Sequence, residues 1–248
     1  MPKLVDLTHK SPEFDAAYDV ISRDILPEYL ETRDFFRNRL RVRDEGPQTE
    51  KERLLVQDGY TLHLIAAKQD ERVVGAVYGH LISRIGPENK AVGFVTYLAV
   101  HPGHQRQGIG TGLIHALQTT IGKDALRMTG KPVFGMVYEI EEVGKEAIKA
   151  TVSKLGARPL DIVYHQPALR PGYGPERMNL WFQPVPAFSP ADSAKFRLPA
   201  DIVHDIVRNM LVMEYVGPQI IGVDLTGKSF TEFKKSLGRR KQIGFLRR

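Results

Sequence analysis

The sequence predicts an α+β fold: an α/β layered arrangement in which helices flank a mixed, mostly antiparallel central sheet, with a helical extension at the C-terminus. Three observations carry that reading. Between residues 60 and 100 apolar positions recur with a period of two, as at Leu62, Leu64 and Ala66, and culminate in the nearly continuous run Phe94-Val95-Thr96-Tyr97-Leu98-Ala99-Val100. That pattern describes antiparallel hairpins leading into a strand buried in a sheet interior. On either side the period changes to that of amphipathic helices, and a further one starts at Pro199 beyond a cluster of prolines.

From the N-terminus, an apolar run at residues 4–7 precedes Ser11-Pro12-Glu13, which reads as helix N-cap, first-turn proline and early acid. Phe14, Ala17, Tyr18, Ile21 and Ile25 then share one helical face. A second helix is expected over about residues 31–43, with Phe35, Phe36 and Leu40 apolar and Arg33, Arg37 and Arg41 in a row on another side. The row reads either as a solvated face or as a receiver for an anion, the first being the plainer.

Gln69-Asp70-Glu71 turns the chain between extended runs, and His101-Pro102-Gly103 ends the buried strand. A helix over 108–121 follows, with Ile109, Leu113, Leu117 and Ile121 in register. Residues 133–140 read as the next strand and 145–155 as a helix stopped by Gly156. Residues 161–165 and 179–183 are extended.

Pro184, Pro186, Pro190 and Pro199 mark a linker. The domain expectation is a main domain over 1–186, a linker over 187–198 and a helical extension over 199–248. The extension's first helix aligns Ile202, Val203, Ile206, Val207, Met210 and Leu211, and Gly217-Pro218 closes it. Such a stripe needs cover from the main domain or a second subunit, so a homodimer through the 199–216 helix is one expectation.

The 248 residues are 42% hydrophobic and 26% charged, enough for one large core with an appendage. The net charge of +6 is local: residues 228–248 carry eight basic side chains and one acid, and the other 227 residues sum to −1. If the tail has a task, docking or association is the expected one. A nucleic-acid partner would rest on this tail alone, without stacking aromatics beyond Phe245, and is not expected. Zero cysteines exclude a disulfide scaffold, a thiolate nucleophile and cysteine-ligated zinc. Neither a signal-peptide h-region nor an apolar stretch of membrane-spanning length is present, so no membrane is expected and the cytoplasm is the default compartment.

The most informative stretch is the strand-to-helix passage. After Val100 the chain reads His101-Pro102-Gly103-His104-Gln105-Arg106-Gln107-Gly108-Ile109-Gly110-Thr111-Gly112-Leu113, so the first helical turn contains three glycines. Glycine allows close backbone approach, and the free N–H groups of a helix start, with the dipole, favour an anion. This describes a phosphate cradle, although a bare Gln-x-x-Gly-x-Gly also fits a tight turn without ligand.

The Leu98-x-Val100-x-Pro102 approach, the Gln105-x-x-Gly108-x-Gly110 loop and the Leu113-Ile114 helix resemble the pyrophosphate-binding motif of the GNAT superfamily of acyl-CoA-dependent N-acyltransferases. The order of elements matches from about residue 4 to 183, including Lys154-Leu155-Gly156-Ala157 after the second crossover helix. The resemblance implies acetyl-CoA (coenzyme A) as cofactor, its pyrophosphate on the backbone amides of Gln105, Arg106, Gln107, Gly108, Ile109, Gly110 and Thr111. It also implies pantetheine pairing with main-chain groups of Leu98, Ala99 and Val100, as an added strand would. Arg106 adds charge there or is simply an exposed arginine.

The same resemblance implies direct transfer of an acyl group from thioester to amine in a ternary complex. Here the sequence departs from the family. Phe94 stands where the histone-modifying branch has its general base, Val152 where a tyrosine often protonates the leaving thiolate, and Lys145 where an asparagine is common. Glu139, closing the next strand, is the preferred base; its alternative is an exposed strand-end acid leading into Glu141-Glu142. Tyr97 is the weaker candidate for proton donor, an aromatic on that strand being more often core.

His101 and His104 lie three apart without a carboxylate or cysteine at matching spacing, so no metal is expected. The Tyr164-His165-Gln166-Pro167-Ala168-Leu169 cluster lines an acceptor pocket or packs a strand edge. Residues 222–229, Gly-Val-Asp-Leu-Thr-Gly-Lys-Ser, match the P-loop pattern in full. Nineteen residues follow Ser229, seven of them basic, too few to complete a nucleotide-binding sheet. The stretch instead reads as a turn before a short helix with Phe230, Phe233 and Leu237. The expected activity is N-acetyltransferase action on an amine of a small molecule or peptide; the alternative is a non-catalytic acyl-CoA-binding regulatory module.

Overall fold

The structure, a computed structural model, describes residues 2–50, 52–53, 60–166, 175–186, 196–215 and 228–246. Its strands are β1 (Lys3–Asp6), β2 (Tyr60–Gln69), β3 (Arg72–Ile85), β4 (Lys90–Val100), β5 (Val133–Glu141), β6 (Arg158–Pro159), β7 (Tyr164–Gln166), β8 (Glu176–Pro184), β9 (Leu198–Pro199) and β10 (Gln242–Ile243). The helices are α1 (Phe14–Asp24), α2 (Arg33–Glu45), α3 (Ile109–Thr129), α4 (Glu146–Lys154), α5 (Ala200–Tyr215) and α6 (Lys228–Leu237). Among the described residues the main sheet runs β1-β2-β3-β4-β5-β8-β6, with β7 also paired to β8. The expected α+β class, a largely antiparallel sheet flanked by helices, is the observed one.

The chain divides into two compact units, Met1–Leu81 with Val95–Pro132, and Ile82–Phe94 with Val133–Arg248. Residues beyond 198 therefore share a unit with β5 and β8.

In the first unit the Ser11-Pro12 pair does not start the helix. The Ser11 hydroxyl accepts the Thr8 N–H at 2.9 Å, closing a turn, and α1 begins at Phe14 with Glu13 as N-cap. Thr32 caps α2 by accepting the Phe35 N–H. The arginine row on α2 meets acids of its own chain: Arg33 reaches Asp15 and Asp19, Arg37 reaches Asp15, and Arg41 reaches Glu52. These guanidinium groups are committed to carboxylates rather than held for an anionic ligand.

Helix α3 runs two turns past the expected end at residue 121, to the left-handed cap at Gly130. Asp124 lies in that added length and anchors the helix. It accepts from the Thr61 hydroxyl at 2.7 Å and pairs with Nε2 of buried His63 at 3.0 Å, while Nδ1 of His63 meets Asp6 at 2.8 Å. Burial opposes charge on His63, but the hydrogen bonds to Asp124 and Asp6 outweigh it and raise the imidazole above its ordinary range. Burial likewise opposes charge on Asp124, yet His63, Thr61 and Arg127 hold it well below the usual carboxylate range.

In the second unit β5 and β8 pair antiparallel, with Gly135 opposite Pro184 and Glu139 opposite Leu180. The Phe182 ring lies against Gly135: a Cβ there would sit 2.1 Å from Cζ of Phe182 and 3.0 Å from the Gln183 carbonyl oxygen. Gly135→Ala is expected to destabilise the protein by about 1–3 kcal/mol through overpacking. A thermal midpoint unchanged by that substitution would show that the ring yields freely.

The apolar stripe of α5 is covered within the chain. Ile202, Val203, Ile206, Val207, Met210 and Leu211 are all buried, and Asp205 accepts the Gly86 N–H of the β3–β4 turn at 3.1 Å. The Gly217-Pro218 stop and residues 222–227 of the P-loop-like stretch lie outside the described residues. Lys228 opens α6, whose Phe230, Phe233 and Leu237 are buried as its spacing predicts. Of the strand expected over 161–165, residues 161–163 are irregular and only Tyr164 and His165 are extended, in β7, while a separate short strand, β6, precedes them.

Candidate functional site

The buried strand β4 ends on Val100, and the His101 N–H is held by the Val74 carbonyl at 2.8 Å. A 3-10 turn over Pro102–His104 follows. The Gln105 side chain bonds back to the Val100 carbonyl at 3.0 Å, which ties the loop to the strand end. Arg106 adopts φ 62° and Gly108 φ 79°, so two left-handed residues fold the loop tightly before α3 starts. The Gly112 N–H donates to the Gly108 carbonyl, so the amides ahead of Gly112 precede the helical bonding pattern.

Arg106, Gln107 and Gly108 are exposed, Gly110 and Thr111 half-buried, and Ile109 buried. Ile109 and Leu113 pack over Gly75 of β3, and this apolar contact fixes where the helix begins. A Cβ built on Gly108 would point into open space. Sequence reasoning assigned seven amides to the cradle. The Gln105 N–H faces the Pro102 carbonyl at 3.4 Å, so of the seven amides it already has a partner within the loop. A cavity of about 630 Å³ beside this turn is lined by Lys3, Lys68, Gln107 and Ile109, among others. Lys68 is already paired with Glu13 and Glu71.

Along β4, Thr96, Leu98 and Val100 are half-buried while Val95, Tyr97 and Ala99 are buried. Tyr97 stacks on Phe36 and Tyr78 with centroids 5.7 and 6.1 Å away. Its hydroxyl meets the carboxylate of Glu31 and lies 2.9 Å from the Tyr29 carbonyl. Glu31 is itself buried, at 7% exposure. Sequence reasoning passed over it as the start of a helix; its signal is an acid placed directly after the apolar Tyr29-Leu30 and before the Thr32 cap.

In the second unit Glu139 is half-buried on β5 and accepts the phenolic hydrogen of Tyr164, which is 1% exposed. Its neighbours differ: Glu141 pairs with Lys145 and Glu142 with Arg177, both near the surface. The three family positions where this sequence departs are structural here. Phe94 and Val152 are core residues, and Lys145 is the left-handed N-cap of α4. Of the polar cluster after the second crossover, Tyr164, His165 and Gln166 form β7, and residues 167–169 lie outside the described residues. His101 and His104 rings stand 5.8 Å apart, and among the described residues no group of three or more His, Cys, Asp or Glu could hold a metal. No helix among them is long and apolar enough to cross a membrane.

Compared with known proteins, residues 24–128 match the acetyltransferase (GNAT) family. A solved protein from Bacteroides thetaiotaomicron assigned to the GNAT family superposes with a TM-score of 0.55 at 14% identity, over 88% of this chain and 99% of its own. One from Staphylococcus epidermidis assigned as an acetyltransferase gives a TM-score of 0.51 at 10% identity, over 74% of this chain and 99% of its own. At these identities the likeness is one of fold. No curated protein matches the chain significantly.

Proposed function

We propose that the protein is a GNAT-type N-acetyltransferase acting by direct transfer onto a primary amine of a small molecule or peptide, a reading supported by the match of residues 24–128 to the acetyltransferase (GNAT) family. Acetyl-CoA supplies the acyl group as a thioester: the amine nitrogen bonds to the acyl carbon, the carbon–sulfur bond breaks, and the thiol leaves with a proton. The amides of residues 106–111 would hold its pyrophosphate, and Arg106 adds a positive charge beside them. Main-chain groups of Leu98, Ala99 and Val100 would pair with the pantetheine.

The chain must also take one proton from the amine and return one to sulfur. Glu139 is the acceptor in this reading, directly or through a water. The observation that carries the assignment is its setting: a half-buried carboxylate held by a buried phenol, where Glu141 and Glu142 are spent on surface ion pairs. Tyr97 remains the donor to sulfur, but its phenol is engaged by Glu31, so the two would share and replenish that proton as a pair.

Calorimetric titration with acetyl-CoA, joined to free-thiol release across an amine panel, tests the proposal. Saturable binding with thiol release on at least one amine is expected; no binding at millimolar acetyl-CoA would overturn it. A second reading, an acyl-CoA-binding regulatory module, is favoured by the apolar residues Phe94 and Val152 at family catalytic positions. Tight binding without transfer to any amine would select it.

A further inference from the structure

We infer that the C-terminal segment belongs to the catalytic apparatus: it fastens the strand bearing Tyr164, and Tyr164 is the positioning residue that orients the Glu139 carboxylate. This rests on the assignment of Glu139 as base.

Strand β7 has three residues, paired on one side to β8 through Tyr164↔Met178, His165↔Arg177 and Gln166↔Glu176. Three ladder pairs at the end of a sheet hold a side chain weakly, because a short strand frays without a second neighbour. Here that neighbour comes from the end of the chain. The Ser236 hydroxyl of α6 reaches the Val163 carbonyl at 3.4 Å and Glu232 pairs with His165 at 3.3 Å. Beyond α6, the Leu246 N–H donates to the Pro159 carbonyl at 2.9 Å, the Asp161 N–H to the Gly244 carbonyl at 3.0 Å, and Arg240 to Asp161 at 3.0 Å. The stretch from 159 to 165 is thus stitched to residues 232–246 at five points, with Phe233 and Ile243 buried beneath them.

Tyr164 stands at the end of this stitched stretch, buried, with its hydroxyl on Glu139 across β8. A carboxylate on a strand has a freely turning terminal torsion, and a phenol donor fixes which oxygen lone pair stays open for the amine proton. The donor also favours the ionised form, which is the one a base requires. The flanking elements also carry Glu141 on β5, Glu176 and Arg177 on β8, His165 on β7, and Lys228, Glu232, Lys234 and Lys235 on α6; Glu141 pairs with Lys145, Arg177 with Glu142, and the Glu232 carboxylate lies 3.3 Å from Nδ1 of His165. The basic tail therefore acts on the same unit of its own chain rather than only as a docking arm.

Three full-length proteins test this: Tyr164→Phe, the Glu232→Gln/Ser236→Ala pair, and the combination. Tyr164→Phe should lower kcat about tenfold with acetyl-CoA affinity unchanged. It should also raise the titration midpoint of the Glu139 carboxyl, followed by carbon NMR in the protein alone. The α6 pair should move both readouts in the same direction by less. The combination should be no worse than Tyr164→Phe, because all act through one hydroxyl. An unmoved Glu139 midpoint in Tyr164→Phe, or effects that add fully in the combination, would overturn the inference. A shifted midpoint with unchanged turnover would instead reject Glu139 as base, and absent acetyl-CoA binding by the parent protein would reject the transferase reading.

Discussion

Gly108→Arg is expected to abolish acetyl-CoA binding, weakening it at least about a hundredfold in calorimetry, while the protein stays folded. The reason is local. Gly108 has φ 79°, a conformation that costs a residue with a Cβ about 1–2 kcal/mol. That alone lowers the thermal midpoint by only a few degrees in a chain of this size. A Cβ there meets nothing within 4 Å, so the arginine is accommodated without a clash, and on the proposed reading its side chain competes with the pyrophosphate for the space over the loop. Gly108→Ala separates the two effects, since it carries the same backbone strain with a single methyl in the cradle. The alanine variant should lose stability like the arginine variant but keep most of its affinity. Binding by Gly108→Arg within about tenfold of the parent would place the pyrophosphate elsewhere.

How much of this was legible in the sequence depends on whether the responsible physics is local. The turn into α3 was, because Gly108, at φ 79°, states a local backbone requirement that glycine meets best. Helix α3 was recognised but cut two turns short, since Lys123, Asp124 and Arg127 interrupt the apolar register; Asp124 is there for His63, sixty-one residues away in sequence. The N-cap at Ser11 failed for the opposite reason, a local side-chain bond to Thr8 that competes with capping. That residues beyond 198 share a compact unit with β5 and β8 was not legible. Prolines report only that regular structure stops, whereas the return of residues 244–246 onto 159–161 is a long-range pairing that no pattern in either stretch announces. Glu31 and Tyr164 were invisible as partners for the same reason: each is ordinary in its own segment and acquires meaning only beside Tyr97 or Glu139.

Glu139→Gln should lower kcat by about 10²–10³, the range in which a positioned general base contributes. Glutamine keeps the shape and one oxygen to accept from Tyr164, so the sheet pairing with β8 and the fold should persist, and acetyl-CoA affinity should change less than about twofold. What it loses is the capacity to take a proton. In the parent protein kcat/KM should rise with pH as the carboxyl ionises, and the variant should lack that limb. The decisive comparison is Glu31→Gln, because Glu31 and Glu139 are each bonded to a tyrosine, one in each compact unit. If Glu31→Gln removes the pH-dependent limb and Glu139→Gln leaves it in place, proton removal belongs to the Tyr97 pair. If Glu139→Gln removes it, Glu31 serves to hold the Tyr97 hydroxyl, and its substitution should raise the thiolate-release barrier without moving the base's titration. The two carboxylates are thereby distinguished by the shape of one pH profile, without knowing the natural amine; a limb that survives both substitutions would assign proton removal to neither.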